Sequence, residues 1–522
     1  MSQSLIEALQ DSTCYPHPVS HVSLRETHIS WVLLAGDHAY KIKKPLDFGF
    51  LDFSTLEKRR HFCEEEIRLN SRLASDIYLD AVPITGSPDA PIINGEGEPF
   101  EYAVHMRVFD NEGLFSTLQA RGELTEAHMD DMVDQLVDFH QRAEQAAPDS
   151  AFGTPEAVHA PTRQNFEQLR ELLEDSTDLA RLRRLEQWAD ESYERLAPLM
   201  TERLRQGFVR ETHGDMHLGN VVQSDGRVLI FDCIEFNDDL RWNDVCCELA
   251  FLLMDLEVRG EWALSRHVLD RYLERSGDYE LVRLLPYYKA YRAMVRAKIA
   301  MFRVNQPGLE EAEKRDIHAE YRRYAELAER YTELEIPWLL VSVGVSGSGK
   351  SRFTQQVVRE LGSIRIRSDI ERKRLYGLTP DADSDSAIDS GIYTAEATER
   401  TYQRLGELAG MLLDAGFPVC IDATALRRVQ RDRLRHEAEK RGLQVLTISF
   451  EADEATLKRR IEKRQQQRGE VSEAGIEVLG HQLATREPFG DDEKGQVVHL
   501  DTTAEGASHR LVELLRDRLH LS

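Results

Sequence analysis

The chain has 522 residues, of which 41% are hydrophobic and 30% charged; this places it among soluble globular proteins and gives room for roughly two to four domains. Lys plus Arg is 66 and Asp plus Glu is 92, a net charge of −26, which opposes generic binding to nucleic acid or anionic membranes but leaves room for a local basic site. No apolar run approaches the ~20 residues of a membrane span. Residues 1–30 lack the order of a signal peptide, and six cysteines without an even framework point to a reducing compartment, the cytoplasm.

Three short strand-like runs come first, HVSL (21–24), WVLLAG (31–36) and HAYKIKK (38–44). A charged helical stretch follows at 54–73, then a sheet-like region ending at EYAVHMRVF (101–109). In 125–140, Met129, Met132, Val133, Leu136, Val137 and His140 recur at helical spacing after Thr125, an N-cap residue type. Helices dominate from there to about 333, interrupted by a loop at 213–236. At Pro337 the charged helical pattern stops and an apolar strand starts. From there WLLVSV, SIRIRS, PVCIDA and QVLTISF alternate with helical segments, the pattern of a parallel sheet with crossover helices. The boundary falls near 335, giving domains 1–335 (small lobe about 1–105, helical lobe about 106–335) and 336–522. No internal repeat is visible.

Phosphoryl transfer needs a cation and Mg²⁺ on the phosphates and a carboxylate to orient the acceptor hydroxyl. HGDMHLGN (213–220) offers Asp215 for the hydroxyl proton and Asn220 five residues on. After a hairpin-like turn at Ser224–Arg227, the strand VLIFD delivers Asp232. Asn220 and Asp232 would bind Mg²⁺. H-x-D-x4-N followed by a strand-borne Asp is far more specific than any single carboxylate.

These residues resemble the aminoglycoside phosphotransferase family, relatives of the protein kinases, over roughly 1–335 and most strongly at 210–250. The resemblance implies a small sheet-rich lobe and a larger helical lobe with ATP between them. It implies that Lys41 reaches the α/β-phosphates, that Ala39 faces adenine, and that Glu66 pairs with the lysine; Lys43 and Glu65 are the rivals. A glycine-rich loop is absent, and RETHIS (25–30) stands in its place. The helix YYKAYRAMVRAK (287–298) sets Lys289, Arg292 and Arg296 on one face. If that face lines the acceptor site, Arg292 and Arg296 would contact an anionic or neutral acceptor rather than a polycationic antibiotic; otherwise it is a solvated basic face. His140 reads as a packed core histidine and His213 as a residue fixing its loop. Cys233, Cys246 and Cys247 lack zinc-site spacing, and Asp244 caps or braces the next helix.

GVSGSGKS (344–351) follows an apolar strand and precedes a helical run, the context that makes a G-x4-GK[ST] match a P-loop. Gly344, Val345, Ser346, Gly347, Ser348 and Gly349 would cradle ATP phosphates through their N–H groups, Lys350 would contact the β/γ-phosphates, and Ser351 would ligate Mg²⁺. Asp369 lies just after the second strand, where a resemblance to small P-loop kinases implies that the acceptor is gripped, so Asp369 would act as base or hydroxyl orienter, with Arg372 on the next helix toward the substrate. Asp422 ends a strand as a second Mg²⁺ or water carboxylate, and Arg460 and Arg464 in LKRRIEKRQQQRG (457–469) would close on the transferring phosphate. Over about 338–522 this half resembles the gluconate-kinase-like and polynucleotide-kinase-like P-loop group.

The expectation is therefore an α+β protein-kinase-like bilobal domain followed by an α/β P-loop domain with a parallel sheet. The function expected is a bifunctional ATP-dependent phosphotransferase acting on small-molecule hydroxyls other than aminoglycosides. Two alternatives stand beside it: one kinase domain gated by a nucleotide-sensing P-loop domain, and a P-loop half acting on nucleic-acid ends through the basic segments 371–374 and 458–468. The charge of −26 and the lack of a basic-aromatic platform weigh against the second.

Overall fold

In the run HAYKIK every second residue is apolar or aromatic, and the computed structural model turns it into the central strand of an antiparallel sheet. The structure describes residues 2–49, 51–305, 308–333, 336–382, 391–465 and 475–521. By compactness the chain forms two units, one of residues 1–258 and 287–328, the other of residues 259–286 and 329–522.

In the first unit six strands, β1 (Val22–Glu26), β2 (Ser30–Ala35), β3 (His38–Lys43), β4 (Tyr78–Ser87), β5 (Ala90–Ile93) and β6 (Glu101–Arg107), lie in the order β1-β2-β3-β6-β4-β5. Alternation sorts the side chains cleanly. Leu33, Tyr40, Ile42, Val82, Ile84 and Ala103 face outward and are covered by Leu5, Ile6, Leu9 and Tyr15 of the N-terminal segment. Ala39, Val104 and Met106 face inward, against Cys63 and Ala74 of the Leu56–Ala74 helix and against Val222 and Leu229. That helix buries Cys63, Glu66, Asn70 and Leu73, positions three or four apart, so its core face carries a carboxylate and an amide to the sheet.

Two short ladders frame the loop at 213–236. β7 (Val209–Glu211) pairs with β10 (Trp242–Asp244), a ladder that the reading of this stretch as helix and loop had not included. β8 (Val221–Ser224) pairs with β9 (Arg227–Ile230) through Asp225 and Gly226, both at positive φ (50° and 74°), the geometry of a two-residue hairpin. The Glu126–Arg142 helix starts at Thr125 with a capping box closed by His128, and its six periodic residues are all buried. Asp244 pairs with buried Arg203 at 2.7 Å and accepts from the Cys246 N–H at 2.8 Å, bracing the Val245–Val258 helix.

The second unit is built on five parallel strands, β11 (Trp338–Val343), β12 (Ile364–Arg367), β13 (Val419–Asp422), β14 (Gln444–Glu451) and β15 (Val497–Asp501), in the order β12-β13-β11-β14-β15. All six residues of β11 are buried, as a strand covered on both faces requires. Trp338, Leu340, Ile448 and Phe450 pack with Phe353 and Val357 of the Lys350–Leu361 helix and with Leu511 and Leu515 of the Ala507–Leu519 helix. The Trp262–Ser276 helix also belongs here: its Asp270 meets Arg365 of β12 at 2.6 Å and its Glu274 meets Arg367 at 2.9 Å. Among the described residues, no helix is long and apolar enough to cross a membrane.

Candidate active sites

The first site forms where β3, the Leu56–Ala74 helix and the 213–236 loop meet. Alternation along β3 points Lys41 and Lys43 to the same side, and Glu66 takes both, Lys41 at 2.8 Å through Oε1 and Lys43 at 2.6 Å through Oε2. The two lysines differ in their second partner. Lys41, 14% exposed, reaches Asp232 at 3.0 Å, whereas Lys43 is fully buried and pairs with Glu235. Burial alone would lower the pKa of Lys41, but the charges of Asp232, Glu66 and Glu235 outweigh it and hold the ammonium above the ordinary lysine value. Glu65 turns to Arg68 at 2.8 Å, away from both lysines. Glu235 escaped the sequence reading; the one available signal was its place three residues after Asp232 in FDCIEF.

Asp232 sits at φ 63°, a left-handed backbone that costs a non-glycine residue about 1–3 kcal/mol and persists only where neighbours impose it. Its N–H donates to the Tyr78 hydroxyl at 3.2 Å, and the next N–H, of Cys233, donates to Asn70 Oδ1 at 2.8 Å. Asn70 Nδ2 in turn donates to the Glu66 carbonyl at 2.9 Å. One helix therefore fixes both the partner of Lys41 and the turn that presents Asp232.

The loop residues hold one another. His213 Nδ1 lies 3.3 Å from the Asp215 N, and its Nε2 donates to the Phe231 carbonyl at 2.8 Å, which fixes the orientation of the ring. Its own N–H donates to Glu248 at 2.8 Å, and Glu248 also meets His140 at 2.8 Å. His140 is thus buried as expected, but in a polar chain that supports the loop rather than in an apolar stripe alone. Asn220 Nδ2 donates to the Asp215 carbonyl at 2.9 Å and to its carboxylate at 3.1 Å. Burial alone would raise the Asp215 carboxyl; His217, at 3.3 Å, and then the charges of His213 and Arg292 more than offset it and hold the group well below the usual carboxylate range. Asn220 Oδ1 and Asp232 Oδ2 are then the oxygens left to hold a hard divalent cation. Cys233, Cys246 and Cys247 are buried and form no disulfide, and among the described residues no group of three or more His, Cys, Asp or Glu is set to bind a metal.

Arg292 and Arg296 lie one turn apart on the Leu285–Phe302 helix. Arg292 is buried and Arg296 partly buried, so neither stands on a freely solvated face, while Lys289 is paired with Glu257 at 2.7 Å.

The second site lies at the carboxyl ends of β11, β12 and β13, the position where open parallel sheets bind ligands. Gly349, at φ 94°, is the N-cap of the Lys350–Leu361 helix, and a Cβ on Gly347, at φ 81°, would stand 2.8 Å from the Leu457 carbonyl. The Gly344 N–H donates to the Thr424 carbonyl at 3.0 Å, joining the loop to the end of β13. Lys350 Nζ donates to the carbonyls of Gly344 (2.8 Å) and Val345 (3.0 Å), and burial pushes its pKa below the ordinary lysine value. The Ser346 N–H donates to Gln482 at 2.7 Å, a residue absent from the sequence reading.

A cavity of about 510 Å³ brings together Lys350, Ser351, Asp369, Arg372, Asp422 and Arg464. Asp422 is buried and lies 3.3 Å from the Thr354 hydroxyl. Arg372 donates to the Ile392 carbonyl at 2.9 Å and to Thr398 at 3.2 Å. Arg460 also borders the cavity, but its guanidinium donates to the carbonyls of Gly347 and Ser348 at 3.3 Å and to Thr502 at 3.0 Å, so it braces the phosphate loop in this arrangement. Residues 466–469 of the expected lid lie outside the described residues.

Residues 93–285 match the model of the Phosphotransferase enzyme family, and residues 339–489 match an AAA domain model. An uncharacterized protein of Mycobacterium tuberculosis and one of Mycobacterium bovis are each 32% identical over 417 residues, 79% of this chain and 81% of theirs. Among solved structures, a gluconokinase from Sinorhizobium meliloti is 23% identical, covering 35% of this chain and 98% of its own, with a TM-score of 0.24. A choline/ethanolamine kinase family protein from Mesorhizobium loti is 10% identical, covering 60% and 94%, with a TM-score of 0.35.

Proposed function

We propose that this chain, which belongs to one family with the uncharacterized mycobacterial proteins and is an ATP-dependent phosphotransferase with two kinase-type domains, performs two separate phosphoryl transfers, one at each phosphate site. The observation that carries this reading is that each site joins a phosphate-binding lysine to an acceptor-side carboxylate: Lys41, held on Glu66 and Asp232, with Asp215 in the adjoining loop, and Lys350 with Asp369 around one cavity. Binding a nucleotide needs no such carboxylate; transferring its phosphate to a hydroxyl does.

At the first site the acceptor's hydroxyl oxygen bonds to the γ-phosphorus of ATP while the bond from that phosphorus to the β,γ-bridging oxygen breaks. ADP leaves with the electron pair, and the hydroxyl proton passes to Asp215, which its surroundings keep ionised to receive it. Lys41 holds the α/β-phosphates. Asn220 and Asp232 would hold Mg²⁺ at the first site, and Ser351 and Asp422 at the second; when bound, the ion neutralises charge on the phosphate oxygens. At the second site Lys350 takes the β/γ-phosphates, Asp369 orients the acceptor hydroxyl, and Arg464 offsets charge on the transferring group. The acceptors are small molecules.

A second reading, in which the P-loop unit senses nucleotide and gates the first site, draws on the Ser346–Gln482 contact, since a protein amide there occupies an N–H group that would otherwise meet phosphate. The deciding experiment is transfer of γ-labelled phosphate from ATP into a small-molecule cell extract, resolved by mass spectrometry, by the full chain, Asp215→Asn and Lys350→Ala. Two products, each lost in one variant, support two transferases. One product lost in both supports the gate. Release of inorganic phosphate alone overturns both transfers.

A further inference from the structure

We infer that the acceptor of the first site carries an anionic group, a carboxylate or a phosphate monoester, and that Arg292 and Arg296 are the residues that grip it; this rests on the reading of Asp215 as the acceptor-side carboxylate. Arg292 is 5% exposed, and its buried Nε has no hydrogen-bond partner. Among the described residues no carboxylate lies within 4.0 Å of Arg292 or Arg296, whereas Lys41, Lys43 and Lys289 are each matched. Lys41 has Glu66 and Asp232, Lys43 has Glu66 and Glu235, and Lys289, on the same helix, has Glu257. Burying a guanidinium without a counter-charge costs several kcal/mol, so proteins pair such groups or leave them for a ligand to pair.

Apart from the Cys247 thiol beside Arg292 and the Tyr324 hydroxyl beside Arg296, what these two arginines touch is aromatic. The Arg292 guanidinium lies 4.7 Å from the centre of the Phe251 ring and 5.5 Å from that of Tyr291, and Arg296 lies 5.9 Å from that of Tyr324. Ring contacts fix the guanidinium planes while leaving edge N–H groups to meet an oxyanion. Phe251, beneath the Arg292 guanidinium, also stands edge-on to His217 with ring centres 5.6 Å apart, and His217 meets the Asp215 carboxylate at 3.3 Å, so Arg292 and, one turn on, Arg296 belong to the surroundings of the carboxylate that meets the acceptor hydroxyl. Asp255 is the other acid that faces Arg296; it accepts the Leu218 N–H at 3.0 Å and so supports the loop. Two guanidinium groups one helical turn apart, backed by rings, suit an oxyanion and repel an amine. A polycation would meet the same two positive charges and no matching acid on that helix face.

The test uses the full chain with Lys350→Ala throughout, so that label reports the first site. A small-molecule extract is split on ion-exchange resin into anionic, neutral and cationic fractions, and each is incubated with γ-labelled ATP; phosphatase treatment of the anionic fraction beforehand separates phosphate monoesters from carboxylates. Label is expected in the anionic fraction, and Arg296→Gln is expected to raise KM for that acceptor by roughly 30-fold while changing kcat much less. Arg296→Lys should recover part of the loss, and Arg292→Lys serves as the second variant should Arg292→Gln not fold. An acceptor in the neutral or cationic fraction overturns the inference. So does an unchanged acceptor KM in the arginine variants, or a rise in KM for ATP instead, which would put the arginines on the nucleotide phosphates. No label in any fraction overturns the phosphotransfer reading itself, and this inference with it.

Discussion

Lys41 and Lys43 share one carboxylate, yet the two substitutions should fail differently. Lys43→Met leaves Glu235 buried without its cation, and breaking a buried pair this way costs about 3–5 kcal/mol, so thermal unfolding should shift far downward. Lys41→Met leaves Glu66 paired with Lys43, so the midpoint should move little while phosphate transfer at the first site collapses. Asp215 yields a pH prediction. Its pKa is held below the usual carboxylate range, so the charged, proton-accepting form persists above that depressed value and is lost only as pH falls through it. First-site turnover should therefore stay level from neutral pH down through the ordinary carboxylate range for as long as the chain stays folded. An acidic limb centred at about 4, near an ordinary carboxylate, would contradict this. The spacing of HGDMHLGN singled out Asp215 and Asn220 because both belong to one short loop. Glu235, Glu248 and Tyr78 were not legible, since their parts in the site depend on partners 35 to 192 residues distant, and no local period encodes such pairings.

At the scale of elements, two devices set the sites: a helix that presents a carboxylate and an amide from its buried face, and a glycine loop that clears space for phosphate. Asn70→Ala removes the bond to the Cys233 N–H and leaves that buried donor unmatched, a cost of about 1–3 kcal/mol. The left-handed turn at Asp232 then loses one of its anchors, so a fall in first-site kcat should accompany the loss of stability. Gly347→Ala would set a Cβ against the Leu457 carbonyl at a φ that L side chains rarely adopt, so nucleotide affinity at the second site should be lost while first-site transfer continues. Calorimetric titration with ATP in a Lys41→Met background, which removes the phosphate contact of the first site, would measure it. The β3 strand, the capped helix at 126 and the four strands β11 to β14 were readable because their apolar residues follow a period. β15 was missed because VVHLD alternates weakly and is only partly buried at the sheet edge. β7 and β10, three residues each, are too short to show a period at all.

For the whole molecule, the relevant feature is how the chain is divided. The alternation of strands and helices after Pro337 marks where the parallel sheet begins, but nothing in the amphipathic pattern of 262–276 tells which core that helix joins. Compactness assigns it to the second unit, through Asp270 and Glu274 on Arg365 and Arg367. A truncated chain starting at 336 should unfold at a lower denaturant concentration than the same unit in the full chain, measured by a probe on Trp338. Asp270→Ala in the full chain should weaken the second unit by about 3–5 kcal/mol, since it strips a buried arginine of its nearer counter-ion.

The same division sets an order of events on the ribosome. The first unit has all of its sequence once Ala328 has been made. The second does not, because Asp270 and Arg365 are 95 residues apart, a wait of about 5–20 s at ordinary synthesis rates. During that interval the acidic face of the 262–276 helix has been translated and its arginines have not. Asp270 and Glu274 keep that face hydrated until Arg365 and Arg367 of β12 arrive, while Val268, Tyr272 and Leu273 of the same helix wait uncovered beside them.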